Sequence, residues 1–176
     1  DVDFKNVTFG YTEDVDVLKN VDFDVKQGET IALVGPTGAG KSTVVNLVSR
    51  FYDVKEGQIL IDGKDIRSVQ LDSLRTQMGI MTQDNYIFSG TIRDNIMYGK
   101  LDATEEEMIA AAKAVHADDF IRTLEKGYDT ELTARGGELS NGQRPLVALA
   151  RTMLSNPSIL ILHEATSRID TKTEPL

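Results

Sequence analysis

Residues 30–34 form a short apolar run, Thr-Ile-Ala-Leu-Val, that stops at Gly35, and a helical pattern begins a few residues later. Between them lies Gly35-Pro36-Thr37-Gly38-Ala39-Gly40-Lys41-Ser42. A continuous apolar run reads as a strand covered on both faces, as in a parallel sheet. Val44, Val45, Leu47, Val48 and Phe51 then recur at helical spacing from Ser42 onward. The order strand, glycine-rich turn, helix is the repeating unit of α/β architecture and confines the chain to that class.

The flanking segments fit around this unit. Val2, Phe4, Val7 and Phe9 alternate imperfectly with polar residues, whereas Val21, Phe23 and Val25 alternate strictly, so both stretches read as half-buried antiparallel strands. Ile59-Leu60-Ile61 followed by Asp62-Gly63 predicts a strand and a tight turn. Residues 78–82 and Ile159–Leu162 predict two further short buried strands. Helical character sets in after Gly99: Thr104 and Glu107 form a capping box ahead of Met108, Ala111, Ala112 and Val115. Asp118 is the predicted cap of a second helix through Leu124, stopping near Gly127. A third starts near Ser140, carries Leu146, Leu149, Ala150, Met153 and Leu154, and ends at Asn156-Pro157. The pattern is an α/β core with a helical insertion, without internal repeats or linker-like tracts.

Composition narrows the chemistry. The 176 residues are one domain's worth of chain, 40% hydrophobic and 27% charged, and carry a net charge of −9. That balance argues against a broad basic face for nucleic acid. With zero Cys, disulfides, thiolate zinc sites and CxxC redox chemistry are excluded, and two His do not make a His-rich metal centre. The longest apolar runs fall far short of the roughly 20 residues of a spanning helix. No secretory leader pattern opens the sequence, which predicts a reducing, cytosolic setting.

The segment from Gly35 to Ser42 fits G-x-x-x-x-G-K-[ST] in the strand-to-helix context that this motif requires. Its glycines let backbone N–H groups turn toward phosphate oxygens, and the following helix adds its positive end. Lys41 reaches the β and γ phosphates and the Ser42 hydroxyl ligates Mg²⁺. A nucleotide can thus be bound despite the acidic surface.

Leu139-Ser140-Asn141-Gly142-Gln143, downstream of that loop, resembles the LSGGQ signature of the ATP-binding cassette (ABC) ATPases. The order of other matches agrees over essentially the whole chain. Tyr11 stands at the place of the adenine-stacking aromatic, Gln83 at that of the Q-loop glutamine, Ile159–Leu162 with His163 and Glu164 at the Walker B strand, and Ser167 and Asp170 in the D-loop. Ile87-Phe88-Ser89-Gly90-Thr91-Ile92-Arg93-Asp94-Asn95-Ile96, directly after Gln83, looks like the exporter branch.

This resemblance implies a P-loop NTPase core with a RecA-like parallel sheet, an N-terminal antiparallel β subdomain and an inserted α-helical signature subdomain. Residues 1–88 and 156–176 belong to the β and core part and 89–155 to the helical part. It also implies a core sheet left incomplete at the C-terminal end, before another core strand and a switch histidine, and hence a fragment that does not fold natively alone. The implied ligands are ATP, held by Tyr11, Gly35, Pro36, Thr37, Gly38, Ala39, Gly40, Lys41, Ser42 and Thr43, and Mg²⁺, held by Ser42 and Gln83. Glu164 is the implied general base, with Gln83 and Lys41 completing the catalytic set. Ser140, Asn141, Gly142 and Gln143 are implied to meet the γ-phosphate on a second nucleotide-binding domain, packed head to tail. The implied setting is the cytoplasmic face of the cell membrane, through an exporter's transmembrane domain outside this chain, with no nucleic-acid partner.

Departures from the family pattern predict impaired hydrolysis. His163 replaces the Walker B aspartate, so a carboxylate that accepts from Mg²⁺-bound water is lost. Asn141 replaces a signature glycine. Pro145 and Leu146 stand where the family usually carries Gln and Arg, and Pro145 predicts a signature helix that bends or starts late. Arg168 and Ile169 replace small and apolar residues of the D-loop, and the switch histidine is absent from the sequence. The alternatives are a degenerate half of a heterodimer that binds ATP without cleaving it, and a DNA-maintenance clamp ATPase, which the lack of sustained heptads and the acidic balance disfavour.

Overall fold

The structure is a computed structural model that describes residues 1–81 and 86–163. The chain divides into two compact units, the first comprising Asp1–Gln77 and the second beginning at Met78.

In the first unit, β1 (Val2–Phe9) pairs antiparallel with β2 (Leu18–Val25) on one side and with β3 (Glu56–Ile61) on the other. A two-residue turn at Asp62-Gly63 leads to β4 (Lys64–Asp65), giving the strand order β2-β1-β3-β4. Phe4 lies opposite both Phe23 and Ile59, and its ring stacks on Phe23 with centroids 4.4 Å apart. The imperfect alternation of β1 has a geometric cause. Asn6 has φ 50°, and the register shifts between Phe4 and Val7, so Phe4, Val7 and Phe9 all reach the same buried face. Helix α1 (Lys41–Val48) follows the glycine loop and buries Thr43, Leu47 and Val48. It stops before Phe51, which stays exposed beneath the Arg75 guanidinium 4.9 Å from its ring centroid. A short helix α2 (Leu71–Arg75), not anticipated from the sequence pattern, buries Leu74.

The expected strand at residues 30–34 does not form. Ile31, Leu33 and Val34 are 46%, 42% and 88% exposed, and among the described residues no strand pairs with this run. An apolar, β-branched segment is a strand only when neighbours take up its ladder N–H and C=O groups, and no described strand of the first unit does so.

In the second unit, β5 (Met78–Met81) and β8 (Ile159–Leu162) pair in parallel, Met78 opposite Ile159 and Met81 opposite Leu162. β8 is not the fully buried strand its sequence suggests: Ile159 and Ile161 are half-buried, while Leu160 and Leu162 face outward at 42% and 49% exposure. β6 (Gly90–Thr91) and β7 (Glu131–Leu132) form a small antiparallel pair.

The helices of this unit enclose its core. Helix α3 (Ile92–Met97) was not foreseen, although Thr91 and Asp94 form a capping box as complete as that of Thr104 and Glu107 at the head of α4 (Glu105–Ala114). Met108, Ala111, Ala112 and Val115 are buried as their spacing predicts. Asp118 does not cap the next helix. His116, at φ 57°, precedes α5 (Ala117–Ile121), and Asp118 lies in its first turn, buried and accepting from Tyr128 Oη and Arg122 Nε at 2.7 Å each. The helix ends at Ile121 rather than Leu124. Ile92, Ile96, Met108, Ile121 and Val147 are fully buried around α6 (Gln143–Leu154). Arg151 of α6 donates to the carbonyl and side-chain oxygens of Asn95 at 2.7 and 2.8 Å, which ties α6 to α3.

Candidate functional site

The glycine loop sits in the first unit. Gly38 and Gly40 have φ of 86° and 91°, in the left-handed region where a side chain is strained. A Cβ on Gly40 would also fall 2.7 Å from Leu18 Cδ2. The sequence therefore places glycines where the chain must turn sharply and pass close to β2 before entering α1. Ala39 N–H donates to Pro36 O at 3.1 Å, closing the turn. Lys41 extends its ammonium back over the loop and donates to the carbonyls of Gly35 and Pro36 at 2.7 and 2.9 Å. Gly35, Pro36, Thr37, Gly38, Ala39 and Ser42 are exposed and Lys41 half-exposed, so the cradle is open to a ligand. A loop of this shape, with a cation turned into it and a helix start behind it, fits a polyphosphate.

Tyr11 stands beside the same helix. Its hydroxyl lies 3.2 Å from Thr43 Oγ1 and accepts from Asn46 Nδ2 at 3.1 Å. Its ring meets Phe9 and Tyr52 nearly at right angles, each with centroids 5.1 Å apart, and remains half exposed. The structure thus brings Tyr11, Thr43 and the loop residues together. Asn46 and Tyr52 were missed from the sequence. Asn46 was legible in principle, because it follows Thr43 by three positions and so shares its face of the helix.

The signature residues belong to the second unit. Ser140 and Gln143 exchange hydrogen bonds: Gln143 N–H donates to Ser140 Oγ at 3.2 Å, and Ser140 N–H donates to Gln143 Oε1 at 2.9 Å. Helix α6 starts at Gln143, three residues later than the Ser140 start expected from the sequence. Pro145 consequently falls in the first turn, where its missing N–H breaks no helical bond. Gly142 has φ −80° and ψ −30°, and Asn141 is not among the residues of positive φ, so neither position depends on glycine's freedom in this conformation. Arg144 donates to the carbonyls of Gly136 and Leu139 and braces the segment from behind.

His163 follows β8, and its N–H donates to Met81 O at 2.9 Å, extending the parallel ladder. Among the described residues no group of three or more His, Cys, Asp or Glu side chains converges as a metal site. Gln83, Glu164 and the D-loop residues Ser167, Arg168, Ile169 and Asp170 lie outside the described residues.

A glycine loop that heads a helix, a lysine folded into it and a parallel strand pair define an α/β P-loop NTPase. The chain belongs to the ABC transporter family, whose profile matches residues 18–167. It is 53% identical over 173 residues to an uncharacterized ABC transporter ATP-binding protein, YfiC, of Bacillus subtilis (strain 168), a match covering 98% of this chain and 29% of that protein. It is 47% identical over 175 residues to a fatty acid ABC transporter ATP-binding/permease protein of Mycobacterium bovis, covering 99% and 28%. A bacterial Atm1-family ABC exporter, solved with ATP bound, superposes with a TM-score of 0.93 at 50% identity, covering 99% of this chain and 30% of that one. The fold is that of an exporter's nucleotide-binding domain, and the chain spans less than a third of the length of these relatives.

Proposed function

We propose that this chain binds ATP through Tyr11 and the residues from Gly35 to Thr43, as the nucleotide-binding domain of a longer ABC exporter. The observation that carries this reading is the Lys41 ammonium held within the open loop, 2.7 Å from the Gly35 carbonyl. The loop and the head of α1 offer N–H dipoles to phosphate oxygens, and Lys41 adds a formal charge. The half-exposed ring of Tyr11 offers the base a flat face. Stacking of this kind contributes about 1–3 kcal/mol by analogy with nucleic-acid bases on aromatic side chains.

Mg²⁺ would neutralise phosphate charge when bound. Ser42 supplies a hard oxygen ligand of the kind Mg²⁺ prefers, and Gln83 a second; His163 offers no negative charge to the ion's waters. Glu164 is the proposed general base. Ser140, Asn141, Gly142 and Gln143, at the head of α6, are proposed to act on nucleotide bound by a second nucleotide-binding domain in a head-to-tail dimer. On this reading residues 1–88 and 156–176 form the β and core part and 89–155 the signature part. The domain works at the cytoplasmic face of the membrane, moving a transmembrane domain of the longer protein. Among the described residues no helix is long and apolar enough to cross a membrane. His163 in place of a carboxylate supports slow turnover or none, and favours, as a second reading, the ATP-holding half of a heterodimer.

Equilibrium titration with a fluorescent ATP analogue tests binding, and phosphate release tests turnover. The expected result is binding that Lys41→Ala weakens at least about tenfold, with hydrolysis no faster than in that variant. Binding unaffected by Lys41→Ala overturns the nucleotide assignment, and Lys41-dependent hydrolysis overturns the expectation of impaired turnover.

A further inference from the structure

The hydroxyl of Tyr11 has no work to do if the ring serves purely as a flat surface, yet it is the best-connected atom of that side chain. Asn46 Nδ2 donates to it at 3.1 Å, and Thr43 Oγ1 lies 3.2 Å away. The Asn46 amide nitrogen can only donate, so the phenolic oxygen accepts there and keeps its own proton for Thr43 Oγ1. Thr43 is buried at 4% exposure, and Asn46 stands one turn further along the same face of α1. Phe9 and Tyr52 meet the Tyr11 ring nearly perpendicularly. They limit sideways motion of the ring, whereas rotation of its tip is checked by the hydroxyl contacts. The chain Asn46, Tyr11, Thr43 therefore fixes the ring to the helix that the phosphate loop initiates.

We propose that Asn46 is a positioning residue for nucleobase binding: through the Tyr11 hydroxyl it holds the ring at a set place relative to the phosphate loop, without touching nucleotide itself. This rests on the reading of Tyr11 and the loop as a nucleotide site. An anchored ring loses less freedom when a base stacks on it, so the anchor strengthens that part of affinity which comes from the base. The phosphate part, set by the loop and Lys41, is unaffected.

The test is a double-mutant cycle of Asn46→Leu and Tyr11→Phe in the 176-residue chain, with folding checked by circular dichroism. Affinities are measured for a fluorescent ATP analogue and, by displacement, for inorganic tripolyphosphate. Asn46→Leu and Tyr11→Phe are each expected to weaken the ATP analogue about three- to tenfold, as loss of a modest hydrogen bond does. The double variant is expected to be no weaker than the weaker single, and tripolyphosphate affinity is expected to stay constant throughout. Equal losses for both ligands, multiplicative losses in the double variant, or no loss in either single variant overturns the proposal. If Asn46→Leu fails to fold, Tyr11→Phe decides, because it keeps the ring and deletes the anchor. Lys41→Ala separates the two levels. If it weakens neither ligand, the nucleotide reading fails and the anchor with it; if it weakens both while Asn46→Leu leaves the ATP analogue unchanged, only the anchor fails.

Discussion

The Lys41 ammonium donates to the carbonyl oxygen of Gly35 at 2.7 Å, bridging from the first residue of α1 back to the start of its own loop. A second bond, to Pro36 O at 2.9 Å, leaves the cation partnered by neutral carbonyls alone among the contacts described for it. Phosphate oxygens are stronger acceptors for an ammonium than amide carbonyls are, because both partners are then ionised. The lysine thus has a reason to leave these carbonyls for a polyphosphate. Lys41→Ala removes a charge-assisted contact of about 1.5–3 kcal/mol. We expect ATP affinity to fall at least about tenfold, read by fluorescence titration. Arg in its place should restore charge but not the fit, since a planar fork does not replace a compact ammonium. Unchanged affinity in Lys41→Ala would count against the loop as the site.

His163 gives a second prediction. Its backbone N–H is engaged with Met81 O at 2.9 Å, and that bond survives any substitution other than proline. His163→Asp therefore changes the side chain while keeping the end of β8 in register. An aspartate here adds the negative charge that a Mg²⁺-bound water favours. We expect Mg²⁺ to strengthen ATP binding about tenfold more in His163→Asp than in the parent chain, a gain equal to one charge-assisted hydrogen bond. Titrations with and without Mg²⁺ make the comparison. The same Mg²⁺ dependence in both proteins would show that this position does not reach the ion.

Asp118 gives a prediction about pH. Burial pushes its pKa up, but donation from Tyr128 and Arg122 outweighs this and holds the carboxyl below its ordinary value. A carboxylate whose folded-state pKa is depressed adds stability above its unfolded-state value, near 4, and loses it as pH falls through the depressed value. Acid should accordingly weaken the packing of α5, with the loss confined below pH about 4. Asp118→Ala deletes the contribution at neutral pH at a cost of about 2 kcal/mol. That corresponds to a fall in Tm of about 4–8 °C for a chain of this size. Its stability should also change less between pH 5 and pH 3 than that of the parent, by thermal melts at each pH. An equal acid sensitivity in both chains would assign the effect to other carboxylates.

Much of this was legible from the sequence where the deciding interaction is local. The Thr104 and Glu107 box, the Asp62-Gly63 turn and the glycine loop are each fixed by residues within a few positions of one another, and each stands where the pattern puts it. The irregular spacing of Val2, Phe4, Val7 and Phe9 was visible too, although the bulge at Asn6 that makes it work was not. Failures came where a distant partner decides. Asp118 has the chemistry of a cap, but Tyr128 and Arg122 draw it inward as a buried acceptor. Tyr11 stands as a stacking ring by resemblance; Thr43 and Asn46 share a helix face by spacing, but their bonds to its hydroxyl follow only once the segment after β1 lies beside α1.

The same distinction gives the last prediction. Residues 30–34 have a strand-like composition, but strand formation is a property of pairs, and this run has no ladder partner among the described residues. Its side chains are exposed despite being apolar, most of all Val34 at 88%. Backbone N–H groups outside a ladder exchange with solvent through small local openings, whereas those of a central strand wait for a larger one. The amides of Ile31, Ala32, Leu33 and Val34 should therefore exchange on a timescale close to that of an unstructured peptide. Those of β1, flanked by β2 and β3, should be slower by about 100-fold or more, the difference made by roughly 3 kcal/mol of protection. Hydrogen exchange read by NMR or mass spectrometry on the 176-residue chain compares the two directly within the first unit. Protection of residues 30–34 equal to that of β1 would mean that the run is paired in solution, and the apolar pattern would then have been the better guide. Lower protection there, with β1 intact, places backbone less protected than the sheet immediately before Gly35, at the entrance to the phosphate loop. Motion at that entrance would reach Lys41 through the Gly35 carbonyl it holds.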